Sequence, residues 1–170
     1  MLHKINGLPA HVLLIHIVVV FVPLAALMLV ASAVWPAARA KLGFLTPAAA
    51  LVALVFVPIT TNAGEWLQDH LPNNIGHTSP QIVHHAKLGG ELLPWVIGIF
   101  VMAAVVWVLH RRVDMSWRPA TGDGQTRTAL PVWVTAVIAV VAIAVSAGGV
   151  VQLVRIGDAG AKASWSGSVP

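Results

Sequence analysis

Cysteine is absent from this chain, and charged residues are scarce. With no cysteine among the 170 residues, disulfides, cysteine-ligated iron–sulfur clusters, covalent haem attachment through Cys-x-x-Cys-His and thiol catalysis are excluded. Asp, Glu, Lys and Arg make up only 9% of the residues, whereas 58% are hydrophobic. Because soluble proteins carry about 25% charged residues, the composition predicts a protein built for lipid.

Four apolar runs are long enough to cross a hydrocarbon core of about 30 Å, which needs roughly 20 helical residues. The predicted helices cover about residues 10–35, 46–66, 80–110 and 131–154. The first apolar run exceeds the length of a signal-peptide core, so we expect it to be a membrane span. The predicted fold class is an all-α integral membrane protein, a single domain over residues 1–170 that forms an up-and-down bundle of four transmembrane helices.

The basic residues indicate an orientation. With four spans, both termini lie on one side of the membrane. The opposite side carries six cations in short loops: Arg39, Lys41, Arg111, Arg112, Arg118 and Arg127. The side of the termini carries four: Lys4, Lys87, Arg155 and Lys162. Because cytoplasmic loops are enriched in Lys and Arg, we expect extracytoplasmic termini and a multi-pass location in the bacterial cytoplasmic membrane. The cations are scattered along the chain, so no nucleic-acid partner is predicted.

Seven of the eight histidines lie on the side of the termini. Pro9 and Pro80 predict the starts of helices one and three, because proline favours the first helical turn. His16 and His85 then reach similar depths, and on diagonal helices they are candidates for the two axial ligands of haem b. The adjacent His84 points about 100° away from His85 on a helix, so we expect only one of that pair to face the bundle interior.

Glycines accompany these histidines at the same predicted depth. Gly89 and Gly90 follow His85 by about one turn, and Gly148 and Gly149 occupy the corresponding half of helix four. Glycine lets other groups approach the backbone closely, so all four are candidates for lining a planar cofactor. Close packing between helices through small residues is the alternative explanation.

A compact metal site is a second hypothesis. Copper or zinc would be bound by imidazole and carboxylate ligands, drawn from His11, His16, His84, His85 and Glu65. His11 and His16 diverge by about 140° on a helix, so they are poor partners for one ion, although each could face another helix. A third hypothesis is a structural or assembly subunit without a cofactor. No nucleophile or acid–base constellation is apparent, so no catalytic residue is predicted.

Three segments resemble an uncharacterised family of bacterial four-helix membrane proteins, a domain of unknown function. They are "LPAHVLLIHIVVVFVPLAAL", "HHAKLGGELLPW" and "RIGDAGAKASW", and the resemblance covers nearly the whole chain. The His-x4-His of the family matches His11 and His16, and its glycine-rich ending matches residues 157–165. Some relatives carry histidine where this chain has Asp158. Others are joined to Rieske-type iron–sulfur domains, which implies redox work at the outer membrane face.

The function predicted from these features is that of a membrane-embedded electron-transfer subunit. It would bind haem b and act near the outer face, with quinone, a respiratory complex or a homo-oligomer as candidate partners beside the lipid bilayer. Such a role fits an accessory subunit better than a stand-alone enzyme.

Overall fold

The computed structural model describes residues 4–5, 8–70, 79–112 and 130–165. Two short strands, β1 (Lys4–Ile5) and β2 (Leu8–Pro9), pair antiparallel before the first helix. The helices are α1 (Ala10–Val34), α2 (Pro36–Leu42), α3 (Leu45–Asp69), α4 (Pro80–Gly90), α5 (Leu93–Arg112) and α6 (Val132–Trp165). Arg118 and Arg127, which were counted for the orientation, lie outside the described residues.

Four helical stretches are long and apolar enough to cross a membrane: α1, α3, α4 together with α5, and α6. This confirms the predicted all-α class and the number of spans. The first stretch, α1, packs against α3 and α6, and α5 packs against the same two helices. The first and third spans are therefore diagonal to each other, because each has the second and fourth as its main neighbours.

Small residues form much of the core, and large apolar residues face outward. Ala25, Ala50 and Ala142 are fully buried between helices, whereas Leu27 is 70% exposed and Val140 65% exposed. In lipid, helices associate by close packing of small side chains, because apolar surface is not expelled from an apolar solvent. A surface in contact with lipid is covered by large aliphatic side chains, as on the outside of this bundle.

The third span is interrupted between α4 and α5. Pro94 lacks the N–H that would continue the helical hydrogen bonds, and the backbone N–H of Leu92 bonds to the carbonyl of Gly89 at 3.3 Å in a tighter turn. This leaves the Leu88 carbonyl without its helical donor. The buried Gln152 of α6 supplies one, with Nε2 3.0 Å from that oxygen. A neighbouring helix thus satisfies the break, as irregular backbone within a membrane requires.

The structure departs from the predicted spans most clearly at two places. The connection between the first two spans contains a two-turn helix, α2. The last helix continues to Trp165, eleven residues beyond the predicted end at Val154. Arg155, Asp158 and Lys162 ended the apolar run, but Asp158 and Lys162 form an i,i+4 ion pair at 2.7 Å on the exposed side of the continuing helix, which is compatible with helical structure.

Candidate functional site: a paired-histidine cavity

A cavity of about 470 Å³ lies at one end of the bundle. Its walls come from the first residues of α1, one side of α4 and the last turns of α3 and α6. The residues that matter below are His11, Gly64, His85, Gly89, Gly157 and Gly160. We call this the histidine end of the bundle.

His11 reaches into the cavity from α1 and is held by α3. Its Nδ1 lies 2.9 Å from the backbone carbonyl oxygen of Thr60. Its ring packs on Gly64, where an added Cβ would come within 2.9 Å of Nδ1. Glycine is therefore needed at residue 64 for the ring to lie this close to the helix.

His85 is held in the same way by a different pair of helices. It projects from α4, and its Nδ1 lies 3.0 Å from the carbonyl oxygen of Ile156 in α6. Its ring packs on Gly160, where a Cβ would come within 3.0 Å of Cε1. In both cases the accepting carbonyl belongs to the residue four positions before the glycine. The α1–α3 pair and the α4–α6 pair thus present one imidazole each by the same local arrangement.

These hydrogen bonds determine which ring nitrogen carries the proton. A carbonyl oxygen only accepts hydrogen bonds, so each Nδ1 must donate. In the neutral imidazole the Nε2 then bears a lone pair. No hydrogen-bond partner for either Nε2 is present in the part of the chain that the structure describes. Each histidine therefore has one nitrogen anchored and one available as a metal ligand.

The separation of the two rings is the central geometric feature. Their centres are 6.4 Å apart and their planes are inclined by 88°. A direct hydrogen bond of about 2.9 Å between ring nitrogens would bring the centres to about 5 Å, so the imidazoles do not bond to each other. Two imidazoles on opposite sides of one metal, each with a bond of about 2.0 Å, have centres about 6.4 Å apart. An edge-on aromatic contact covers the same range, but it requires no cavity.

Two further glycines leave space open in the cavity wall. A Cβ added to Gly89 or Gly157 would meet no atom within 4 Å, and both residues line the cavity. These positions differ from Gly64 and Gly160, where the imidazole occupies the space. The absence of side chains at residues 89 and 157 therefore enlarges the cavity itself.

The structure separates the other predicted histidines from the cavity. His16 is exposed on another face of α1, and its Nδ1 bonds to the Val12 carbonyl of its own helix at 2.8 Å. His84 is exposed and does not line the cavity. The diagonal pair that the structure brings together is thus His11 with His85, and the predicted partner His16 lies outside. Only one of His84 and His85 faces inward, and it is His85.

The remaining predicted residues divide similarly. Glu65 lines the cavity as an exposed residue at its mouth. Gly90 has open space around it but does not contribute to the wall. Gly148 packs against the ring of Trp95. A Cβ added to Gly149 would come within 3.0 Å of Cδ1 of Ile99. These last two glycines serve close helix packing, which was the alternative explanation for them.

No group of three or more His, Asp or Glu side chains converges within residues 4–5, 8–70, 79–112 and 130–165. The pair of imidazoles stands without a third protein ligand there. A closed four-ligand metal site of the structural zinc type therefore has no support in the described part of the chain.

Sequence reasoning missed Gly64, Gly157 and Gly160 as site residues. Gly157 and Gly160 stand one turn apart after the polar Arg155, and the ending "RIGDAGAKASW" was noted only for the family resemblance. The three-residue spacing puts both on one helical face. That spacing would have indicated a continuing helix with a small-residue face.

The cavity lies near the edge of the apolar part of the bundle. At about 1.5 Å per residue, the 20 residues of α5 already span about 30 Å. His85 lies in α4, which precedes α5, and is therefore outside that length. The 34-residue α6 is about 51 Å long, so its last turns extend past the hydrocarbon core. A ligand in the cavity would sit at the interface between lipid and water.

Fold and site together define a helical protein with four candidate membrane spans and a paired-imidazole cavity at one end. Comparison with protein-family models, curated proteins and solved structures found no match to this chain. The functional argument therefore rests on the geometry of the cavity.

Proposed function

We propose that this protein is a membrane-bound b-type cytochrome in which His11 and His85 are the axial ligands of haem. The observation that carries the proposal is the 6.4 Å separation of the two ring centres across a cavity of about 470 Å³. This volume lies within the range of about 300–1,000 Å³ typical of cofactor sites.

The protein around the histidines fits a planar ligand. Ligands on diagonal helices leave space between them. The cavity wall has no side chain beyond Cα at Gly89, on the same helix as His85, and at Gly157 of α6. Ile15 and Ile156 add apolar surface. The porphyrin supplies four nitrogen ligands of its own, so two imidazoles complete the iron coordination without the third protein ligand that a zinc or copper site would need.

The anchoring of both rings favours electron transfer over catalysis. If His11 and His85 both held the haem iron, no coordination position would be left for a substrate, and the group would supply one-electron redox chemistry. The hydrogen bonds from Nδ1 to the Thr60 and Ile156 carbonyls fix the tautomer and the orientation of each ring. Because both rings are anchored to backbone carbonyls, the two histidines would keep their positions when a bound haem is oxidised or reduced.

The location of the site suggests where electrons are exchanged. The positive-inside rule supports a cytoplasmic location for the loops that carry most of the arginines. In this orientation the histidine end would lie at the outer face of the bacterial cytoplasmic membrane. A cofactor there is accessible to quinone headgroups at the membrane surface or to a respiratory complex. The resemblance to an uncharacterised four-helix family remains a prediction that agrees with this role.

The test is the visible spectrum of the detergent-purified full chain, air-oxidised and dithionite-reduced, with haem quantified as its pyridine complex. We expect about one haem b per chain with the spectrum of a six-coordinate low-spin iron. His11→Ala and His85→Ala should each remove it, because one ligand and its anchoring bond are lost.

His16→Ala and His84→Ala are the matched controls, since both side chains are exposed outside the cavity. We expect them to keep the full haem content. A colourless protein from haem-replete cells, or haem retained in the His11→Ala and His85→Ala double variant, would contradict the proposal. Elemental analysis of the same sample would then test for copper or zinc.

A further inference from the structure

A second recess lies at the opposite end of the bundle from the histidines. It is a surface notch of about 570 Å³ lined by Ala40, Gly43, Phe44, Trp107, His110 and Arg111. It shares no lining residue with the histidine cavity. We call this the arginine end of the bundle, after Arg39 and Arg111.

Arg111 is positioned at the rim of the notch by aromatic contacts. Its guanidinium carbon lies 4.8 Å from the centre of the Trp107 ring, and Trp107 packs edge-on against Phe44 at 5.7 Å. Stacking on an aromatic face leaves the in-plane N–H groups of the guanidinium able to donate. No hydrogen bond or ion pair of Arg111 is found within the described residues.

The charge around the notch is positive. Lys41, Arg111 and Arg112 are exposed at this end. The acids in the described part of the chain are all at or toward the histidine end: Glu65, Asp69, Glu91 and Asp158. Three exposed cations therefore meet no described carboxylate at the arginine end.

The notch also lies at the level of lipid headgroups. Arg111 belongs to the last turn of α5, whose 20 residues match the hydrocarbon thickness of about 30 Å. Trp35, Phe44 and Trp133 are each more than 60% exposed at the same end. Exposed tryptophans concentrate where hydrocarbon meets headgroups, so the aromatic residues predict the headgroup layer at the level of Arg111.

We propose that the notch binds the phosphate of an anionic phospholipid such as phosphatidylglycerol. The Arg111 guanidinium has the planar fork that matches phosphate oxygens, Lys41 and Arg112 add long-range attraction, and Phe44 and Trp107 provide apolar contact for the upper part of an acyl chain. The net positive charge favours an anionic lipid over a zwitterionic one. This site does not depend on whether haem is bound at the other end.

The experiment uses the lipid-depleted full chain in detergent micelles, offered equal amounts of phosphatidylglycerol and phosphatidylcholine with identical acyl chains. Native mass spectrometry counts the lipids retained. We expect a preference for phosphatidylglycerol, which Arg111→Gln lowers about fivefold, the contribution of about one basic side chain near anionic lipid. Arg111→Lys should keep part of the preference, because it retains charge without the planar fork.

Arg155→Gln is the matched control, since it removes an exposed cation of α6 toward the histidine end and should leave the preference unchanged. Circular dichroism and melting confirm that each variant is folded. Equal retention of the two lipids by the unmodified protein, or equal losses in the Arg111 and Arg155 variants, would overturn the proposal. If millimolar inorganic phosphate displaced phosphatidylglycerol, the proposal that the notch binds a lipid phosphate would be overturned in favour of free phosphate.

Discussion

Both ends of the bundle enclose polar side chains that hydrogen-bond to backbone carbonyls, but they use them differently. At the arginine end, Arg39 is only 3% exposed. Its Nε donates to the Ser32 carbonyl at 2.6 Å and its Nη2 to the Ala33 carbonyl at 2.8 Å. The enclosed space beside it is about 10 Å³, too small for anything larger than a water molecule.

At the histidine end, each imidazole also bonds to a carbonyl, but one nitrogen of each is left over. That nitrogen has no partner in the described residues, and both rings line a cavity of about 470 Å³. Arg39 neutralises the last carbonyls of α1, where a cation is favourable at a helix C-terminus. The comparison teaches that a structural polar group uses its bonding capacity within the protein, whereas a binding group keeps capacity beside open space.

The largest expected effect comes from filling the space at the histidine end. Gly89→Leu adds a side chain to the cavity wall at a position where the new Cβ has no neighbour within 4 Å. We expect haem binding to be abolished while the helices remain intact, because leucine favours a helix over glycine by about 1 kcal/mol. The measurements are haem content and circular dichroism.

Gly90→Leu is the control for this change, because Gly90 has equally open surroundings but does not line the cavity. It should keep full haem content. If both variants bind haem normally, the cavity is not the cofactor site, and the contrast between the two ends loses its functional meaning.

The next effect in size is on stability at the arginine end. Arg39→Ala removes, among its contacts, the hydrogen bonds from a charged donor to the buried Ser32 and Ala33 carbonyls. With about 1.5–3 kcal/mol for a hydrogen bond to a charged group, we expect the free energy of unfolding to fall by about 3 kcal/mol. Unfolding in mixed micelles measures it.

Lys41→Ala, an exposed cation on the same short helix, should cost less than about 0.5 kcal/mol. Haem content per folded chain should stay unchanged in both variants. A loss of haem from folded Arg39→Ala would show that the two ends are coupled.

A smaller change is expected from crowding one imidazole. In Gly160→Ala the new Cβ would lie 3.0 Å from Cε1 of His85, so the ring must move by a few tenths of an ångström. We expect haem to be retained with weakened affinity and an altered low-spin electron paramagnetic resonance spectrum, which reports ligand orientation. Gly90→Ala should leave the spectrum unchanged, and identical spectra in both variants would mean that Gly160 does not position His85.

The smallest expected effect is a difference in stability between substitutions of two buried threonines. Thr46 is 2% exposed and its Oγ1 bonds to Ser32 Oγ at 3.1 Å. Thr135 is fully buried, and its Oγ1 has no hydrogen-bond partner in the described residues. We expect Thr46→Val to lower the free energy of unfolding by about 1 kcal/mol and Thr135→Val to leave it unchanged or raise it. Equal destabilisation by both substitutions would contradict this assignment.

Much of the fold could be predicted from the sequence, because lipid imposes strong constraints. Pro80 marked the start of α4, and the helix begins at that residue. The four apolar runs predicted the four spans. The extension of α6 was missed, because hydropathy reports where lipid ends and does not report where a helix ends.

Less of the candidate site could be predicted. His85 was chosen from its depth and neighbouring glycines, but depth also favoured His16, which lies on another face of α1. In a soluble helix the polar residues would reveal which face is outside. In α1 the buried Leu14 and Val18 and the exposed Val19 and Val20 are all aliphatic, so no periodicity marked the inner face.

The sequence by itself determined a helical protein with four candidate membrane spans and predicted seven of its eight histidines on one side, because span length and residue distribution are properties of the chain alone. Only the tertiary structure decided that His11 meets His85, that Gly64 and Gly160 support the rings, and that Gly148 and Gly149 serve packing. These assignments depend on helix rotation and stagger. Both are set by how side chains of neighbouring helices pack together. The sequence of one helix does not show which helices pack against it.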